Sequence, residues 1–250
     1  MDVEGRVAIV TGAGGGLGQV IAMRFAALRA RIAVVDVEPA AANRVGAKIV
    51  AQGGCAQPVC ADVCDDAGLE AILECAERLG GVQILVNNAG GWGTAGRQFP
   101  EASADEWGAV LDLNLRAPMA LTQRCLVPMA RAGAGAVINI ASSAGWTHEP
   151  YASPEYGAAK AALIRFTTAL GDLHKTSNVR ANCVVPGWIG LDRAFVERAA
   201  MTPAQRATVP NLIPPEDVAA TVERFVFDDT LSGQIAILDG SAPLRFADLA

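Results

Sequence analysis

At 250 residues, with 52% of them hydrophobic and 5% aromatic, the chain can bury one substantial core, and its abundance of Ala and Gly suits helices packed closely on a sheet. A net charge of −6 and the lack of any basic cluster exclude non-specific binding to nucleic acid or an anionic membrane. The uncharged run over residues 7–23 is too short and Gly-rich to span a bilayer and lacks the basic start of a secretory signal, so a soluble, cytoplasmic protein is expected.

In chain order, RVAIVTGAGGGLGQVIAMRFA reads as a strand over residues 6–10, a glycine turn and a helix over residues 17–29. Gly12, Gly16 and Gly18 let the backbone turn sharply and approach a pyrophosphate, with the helix N-terminus offering free N–H groups. The second strand, residues 31–36, ends at Asp36, about twenty residues beyond the glycines. An acid there accepts from ribose hydroxyls and repels a 2′-phosphate. Val37 and Glu38 follow it rather than Lys or Arg, which favours NAD over NADP.

A helix over residues 40–52, a strand over 56–61, a helix over 66–79 and a strand over 84–87 come next, then the Gly-rich stretch 90–103. A helix over 104–131, with Trp107 expected in the core, leads to a strand over 135–140. The helix expected over 153–176 carries Tyr156 and Lys160, four residues apart and so on one face. A fixed cation beside a phenol favours phenolate and lowers its pKa, which makes the pair a proton-transfer device. A strand over 180–185 precedes the excursion 187–214, which carries a short helix over 192–200. A helix over 215–227 and a strand over 234–238 complete the pattern.

Short apolar runs alternating with longer amphipathic ones predict an α/β fold. It is Rossmann-like and doubly wound, with a mostly parallel seven-stranded sheet and helices on both faces. A single domain is expected over residues 1–250, with 190–214 as a substrate-covering loop. The six cysteines form no CxxC pair and the two histidines lie far from them in sequence, so no metal site is expected and the thiols are read as reduced and mostly buried.

Taken together, TGAGGGLG, NNAG at residues 87–90, NIASSAG, YGAAK and PGWI occur in an order that resembles the classical short-chain dehydrogenase/reductase family over essentially the whole chain. The resemblance implies a catalytic set of Asn114, Ser142, Tyr156 and Lys160, in which Asn114 orders a water of the proton relay. The family's Ser-x-x-Gly pattern selects Ser142, ahead of Gly145, over its neighbour Ser143. It further implies that NAD is held by Gly12, Gly16, Leu17, Gly18, Asp36, Asn88, Tyr156, Lys160, Pro186, Gly187 and Ile189, with Asp62 and Val63 meeting the adenine. Two departures stand out. The Thr usual after PGWI is replaced by Gly190 and Leu191, leaving backbone groups or Asp192 to contact the cofactor amide, and the common Asp-Gly-Gly appears as Asp239-Gly240-Ser241.

Trp92, Trp146 and Trp188 fall in segments expected to border the substrate, and Tyr151 and His148 lie between Ser142 and Tyr156. With Ser142 and Tyr156 these rings form the expected substrate site and point to a hydrophobic, cyclic or aromatic secondary alcohol or ketone. Arg97 and Arg193 are candidates for a substrate carboxylate or phosphate, and His174 for the surface or an interface. The reading is therefore an NAD-dependent alcohol dehydrogenase/ketone reductase acting on a small molecule. Its alternatives are an NADP-linked carbonyl or 3-oxoacyl-thioester reductase and a non-catalytic dinucleotide-binding regulatory protein. The family resemblance also implies a homodimer or homotetramer.

Overall fold

The computed structural model describes residues 1–94, 97–149, 151–240 and 242–247. Its elements, in order, are β1 (Val7–Thr11), α1 (Gly16–Ala27), β2 (Arg31–Asp36), α2 (Pro39–Ala51), β3 (Cys55–Cys60), α3 (Asp66–Leu79), β4 (Ile84–Asn87), α4 (Ala104–Leu111) and α5 (Ala117–Arg131). There follow β5 (Gly135–Ile140), α6 (Pro154–Ala169), α7 (His174–Ser177), β6 (Val179–Pro186), α8 (Asp192–Ala200), α9 (Pro203–Thr208), α10 (Pro215–Phe227), β7 (Ile235–Leu238) and β8 (Arg245–Phe246).

One sheet runs β3-β2-β1-β4-β5-β6-β7-β8. Strands β1 to β7 pair in parallel, and β8 joins β7 antiparallel at the edge. Parallel strands need both faces covered, and β1 shows how the sequence does it. Its Ala8 and Val10 face a core built with Ile21 and Phe25 of α1 and Phe225 of α10, while Val7 and Ile9 face another built with Ile72 of α3 and Leu121 and Met129 of α5. The strand order reverses between β1 and β4, so a crevice opens outside their carboxyl ends. Every segment singled out for binding emerges at that edge of the sheet.

Several expectations change. The eighth strand was not foreseen, because a two-residue edge pairing leaves no periodic signal. The helix expected over 104–131 is interrupted by a π-helical turn, Asp112–Arg116. There the Asn114 side-chain amide reaches back to the carbonyl of Val110 (2.8 Å), competing with the regular ladder. The helix expected over 153–176 ends at Ala169, giving way to a 3₁₀ turn at Gly171–Leu173 and short α7. Trp107 is not core but 37% exposed on α4. The thiols divide: Cys75, Cys125 and Cys183 are buried, Cys64 is half-buried, and Cys55 and Cys60 are exposed at the two ends of edge strand β3. Ser241 lies outside the described residues. No helix among the described residues is long and apolar enough to cross a membrane.

Candidate active site

The glycine turn is shaped by contacts that no side chain would permit. A Cβ on Gly18 would lie 2.1 Å from the carbonyl oxygen of Gly12, and Gly12 and Gly16 adopt left-handed φ of +62° and +51°. α1 starts with no side-chain cap and no acid in its first turn, leaving its N–H groups for an anion. Asn88 secures the turn from the next strand, its Nδ2 donating to the carbonyls of Thr11 (2.8 Å) and Gly12 (3.2 Å). These features fit a dinucleotide pyrophosphate.

Asp36 stands at the end of β2, half-buried. Its Oδ2 accepts from the Gly14 N–H (2.8 Å) and its Oδ1 from the Glu38 N–H (3.0 Å). The other end of Gly14 is also held: Arg44 Nη2 donates to its carbonyl (2.6 Å). Arg44 had no sequence signal, since it lies about one and a half helical turns along α2. Asp62 and Val63 follow β3, whose last residue pairs with Asp36. Asp62 is exposed and uses Oδ1 to accept from the Cys64 N–H (2.8 Å).

The second half of the site is the first turn of α6 against the end of β5. Ser142 acts on the Tyr156 phenol through its side chain, and Ser142 Oγ accepts from the Ala144 N–H (3.2 Å). Lys160 is buried, with Nζ donating to the Ile140 carbonyl (2.9 Å) and lying 5.6 Å from the centre of the Tyr156 ring. Asn114 is fully buried and pairs with the Gly91 backbone in both directions, Nδ2 to O (2.7 Å) and N to Oδ1 (3.2 Å). A side chain at Gly90 would meet both Asn114 Oδ1 (2.7 Å) and Lys160 Nζ (3.2 Å), so the two groups converge on that one residue.

The electrostatics differ from the sequence expectation of a phenol lowered by its lysine. Burial pushes the Tyr156 phenol up to about 12, outweighing the lowering effect of Ser142. Burial also pushes the Lys160 ammonium down to about 8. In the protein alone, desolvation favours the neutral form of both groups, so Tyr156 carries its proton at neutral pH.

Ser142, Tyr156 and Lys160 line a cleft of about 600 Å³. Trp92 meets the Tyr156 ring edge-on at 6.4 Å and Tyr151 stacks on it at 6.0 Å. Leu17, Asn88, Ser143, Pro186, Gly187, Trp188 and Ile189 also line it, and α8 adds Arg193, Ala194 and Glu197. Trp146 does not line it. It packs instead beside Ile164, Val185 and Ile237, because the 3₁₀ turn Ser143–Gly145 directs the chain back over α6. Leu191, standing near the position of the usual Thr, lines the cleft and approaches the glycine turn, 3.4 Å from where a Gly16 side chain would begin. Arg97 pairs with Glu106 (2.8 Å), while Arg193 stacks on Trp92 at 4.2 Å and pairs with Glu197 (2.6 Å). His148 is exposed, and exposed His174 contacts the Gly171 carbonyl through Nδ1 (2.7 Å). Glu155, buried beside Tyr156, accepts from the Phe99 N–H (3.4 Å) and fastens the Gly-rich stretch to α6, a role that spacing does not reveal.

A doubly wound sheet with a glycine cradle and a Tyr-Lys-Ser cluster at its switch point defines a dinucleotide-dependent oxidoreductase. A family model described as short chain dehydrogenase matches residues 6–199, and the chain belongs to that family. A probable short-chain type dehydrogenase/reductase of Bradyrhizobium diazoefficiens is 34% identical, over 95% of this chain and 87% of that one. A 3-oxoacyl-[acyl-carrier-protein] reductase of Synechocystis is 32% identical, over 94% and 96%. Among solved structures, a 7α-hydroxysteroid dehydrogenase complexed with NADH and 7-oxo glycochenodeoxycholic acid superposes with a TM-score of 0.84 at 30% identity, covering 95% and 94% of the two chains. The protein is thus an oxidoreductase of the short-chain family that uses a nicotinamide dinucleotide and a small-molecule substrate.

Proposed function

We propose that this protein is a cytoplasmic NAD-dependent oxidoreductase that interconverts a secondary alcohol and its ketone, with a hydrophobic cyclic or aromatic substrate. The observation that carries the reading is Tyr156, sharing the cleft with Ser142, near Lys160, and walled by Trp92 and Tyr151. Ser142 holds the substrate oxygen, and Ser143 serves the turn. Tyr156 gives its proton to that oxygen in ketone reduction and takes one from the hydroxyl in alcohol oxidation. Lys160 steadies the phenolate and holds the nicotinamide ribose. Asn114, converging with it on Gly90, orders the water that carries the proton to solvent. When bound, the dinucleotide accepts or donates the hydride.

Gly12, Gly16, Leu17, Gly18, Asn88, Pro186, Gly187 and Ile189 would hold the dinucleotide. Asp36 would take the ribose hydroxyls, and Asp62 and Val63 the adenine. Residues 190–214, with α8 and α9, would cover the substrate, and Trp188 would join its apolar wall. A panel of cyclic and aromatic secondary alcohols assayed with NAD tests the reading: NADH formation is expected with several of them. Activity confined to hydrophilic polyols or acyl-carrier thioesters would sink it.

The Synechocystis relative favours a second reading, a 3-oxoacyl-thioester reductase, which we take as NADP-linked. Preferential turnover of such a thioester with NADPH would establish that reading instead. A homodimer or homotetramer is proposed through α5 and α6, where Leu115, Met119, Leu126 and Phe166 line an apolar groove and Met119 is 42% exposed. Sedimentation at micromolar protein should give a mass of two or four chains, and a monomer would contradict it.

A further inference from the structure

Gly14 is held at both ends by opposite charges. The Asp36 carboxylate takes its N–H at 2.8 Å and the Arg44 guanidinium donates to its C=O at 2.6 Å. Gly14 itself is buried, and a side chain there would collide with Asp36 Oδ2 (2.7 Å) and the Ala41 side chain (2.6 Å). The two charges therefore sit within the span of one residue. Asp36 and Arg44 make no direct ion pair, and Arg44 joins no other ion pair among the described residues. A guanidinium has five N–H donors in a planar fork that matches phosphate oxygens. A single hydrogen bond to a carbonyl leaves most of that fork available, and Arg44 is exposed.

We propose that Arg44 is a second determinant of cofactor choice, a cation already stationed at the ribose edge that would bind a 2′-phosphate. The inference rests on the reading that Asp36 receives the ribose hydroxyls. An acid at that place repels a 2′-phosphate and an Arg nearby accommodates one. This chain carries both, on opposite ends of one peptide residue. Asp36 holds the balance toward NAD, and Arg44 makes the discrimination shallow and easily reversed.

The test measures binding of AMP and adenosine 2′,5′-bisphosphate, which differ only in the 2′-phosphate, and of NAD and NADP, by calorimetry. The proteins are wild type, Arg44→Ala, Arg44→Lys, Asp36→Ala and Asp36→Ala/Arg44→Ala. Arg44→Ala should weaken the bisphosphate by about tenfold while changing AMP by no more than about twofold, with Arg44→Lys in between. Asp36→Ala should turn the preference to NADP in one step, and the double variant should lose that gain. Equal weakening of AMP and bisphosphate by Arg44→Ala would reduce Arg44 to a brace for the turn and overturn the proposal. Failure of the NAD reading has a separate signature, a wild-type protein that binds NADP more tightly than NAD, and the AMP pair still judges Arg44 in that case.

Discussion

Tyr156→Phe is expected to lower alcohol oxidation by about 10²- to 10⁴-fold, the range a positioned acid/base commonly supplies. NAD affinity should stay within about twofold, because the phenylalanine ring preserves the stacking with Tyr151 and the edge contact with Trp92. The pH dependence carries the same signature. With the phenol pushed up to about 12 by burial, the wild-type protein holds the proton that ketone reduction needs throughout the neutral range. Oxidation needs the phenolate, so its kcat/KM should climb toward alkaline pH, while that of reduction stays level through the neutral range and falls only as pH nears about 12. In Tyr156→Phe both residual rates should lose this opposed dependence. Steady-state rates across pH in both directions check it, and a variant that keeps its turnover and its opposed pH limbs would remove Tyr156 from the chemistry.

Gly145→Ala should damage the protein although the substitution adds a single methyl group. A Cβ at Gly145 would lie 2.4 Å from the Ala161 nitrogen and 2.5 Å from the Lys160 carbonyl carbon, both of them helix backbone that cannot swing aside. The turn carrying Ser142 therefore has to lift from α6, which carries Tyr156 and Lys160. Overpacking of this kind costs about 1–3 kcal/mol, and in a chain of this length each kcal/mol lowers Tm by roughly 2–4 °C. The displacement of Ser142 from Tyr156 should also reduce kcat more than it raises KM. Thermal melts and steady-state kinetics on the same preparation measure both effects. A variant that melts and turns over like wild type would show that this contact does not set the site.

That contact also explains why much of the site could be read from the sequence. The Ser-x-x-Gly and Tyr-x-x-x-Lys spacings describe short segments whose backbones touch, so motif and geometry coincide. The parallel strands were legible because, β3 apart, each is a short apolar run between helical patterns. Other features depend on partners distant in sequence. Trp146 sits just past the serine motif, yet the turn directs its ring away from the cleft toward Ile164 and Val185. Arg44 reaches the glycine turn only because α2 packs beside it, and Glu155 meets a backbone N–H 56 residues away. The Tyr156 electrostatics depart from the expectation for a physical reason: residue spacing reports the nearby cation but not the burial that raises the phenol.

The most direct test is a crystal structure of the protein with NADH and a cyclic ketone. The carbonyl oxygen is expected within about 2.6–3.2 Å of both Ser142 Oγ and Tyr156 Oη, with the ring against Trp92 and Tyr151. A ketone oxygen bound away from Ser142 and Tyr156, or a ring lying outside the aromatic walls, would contradict it.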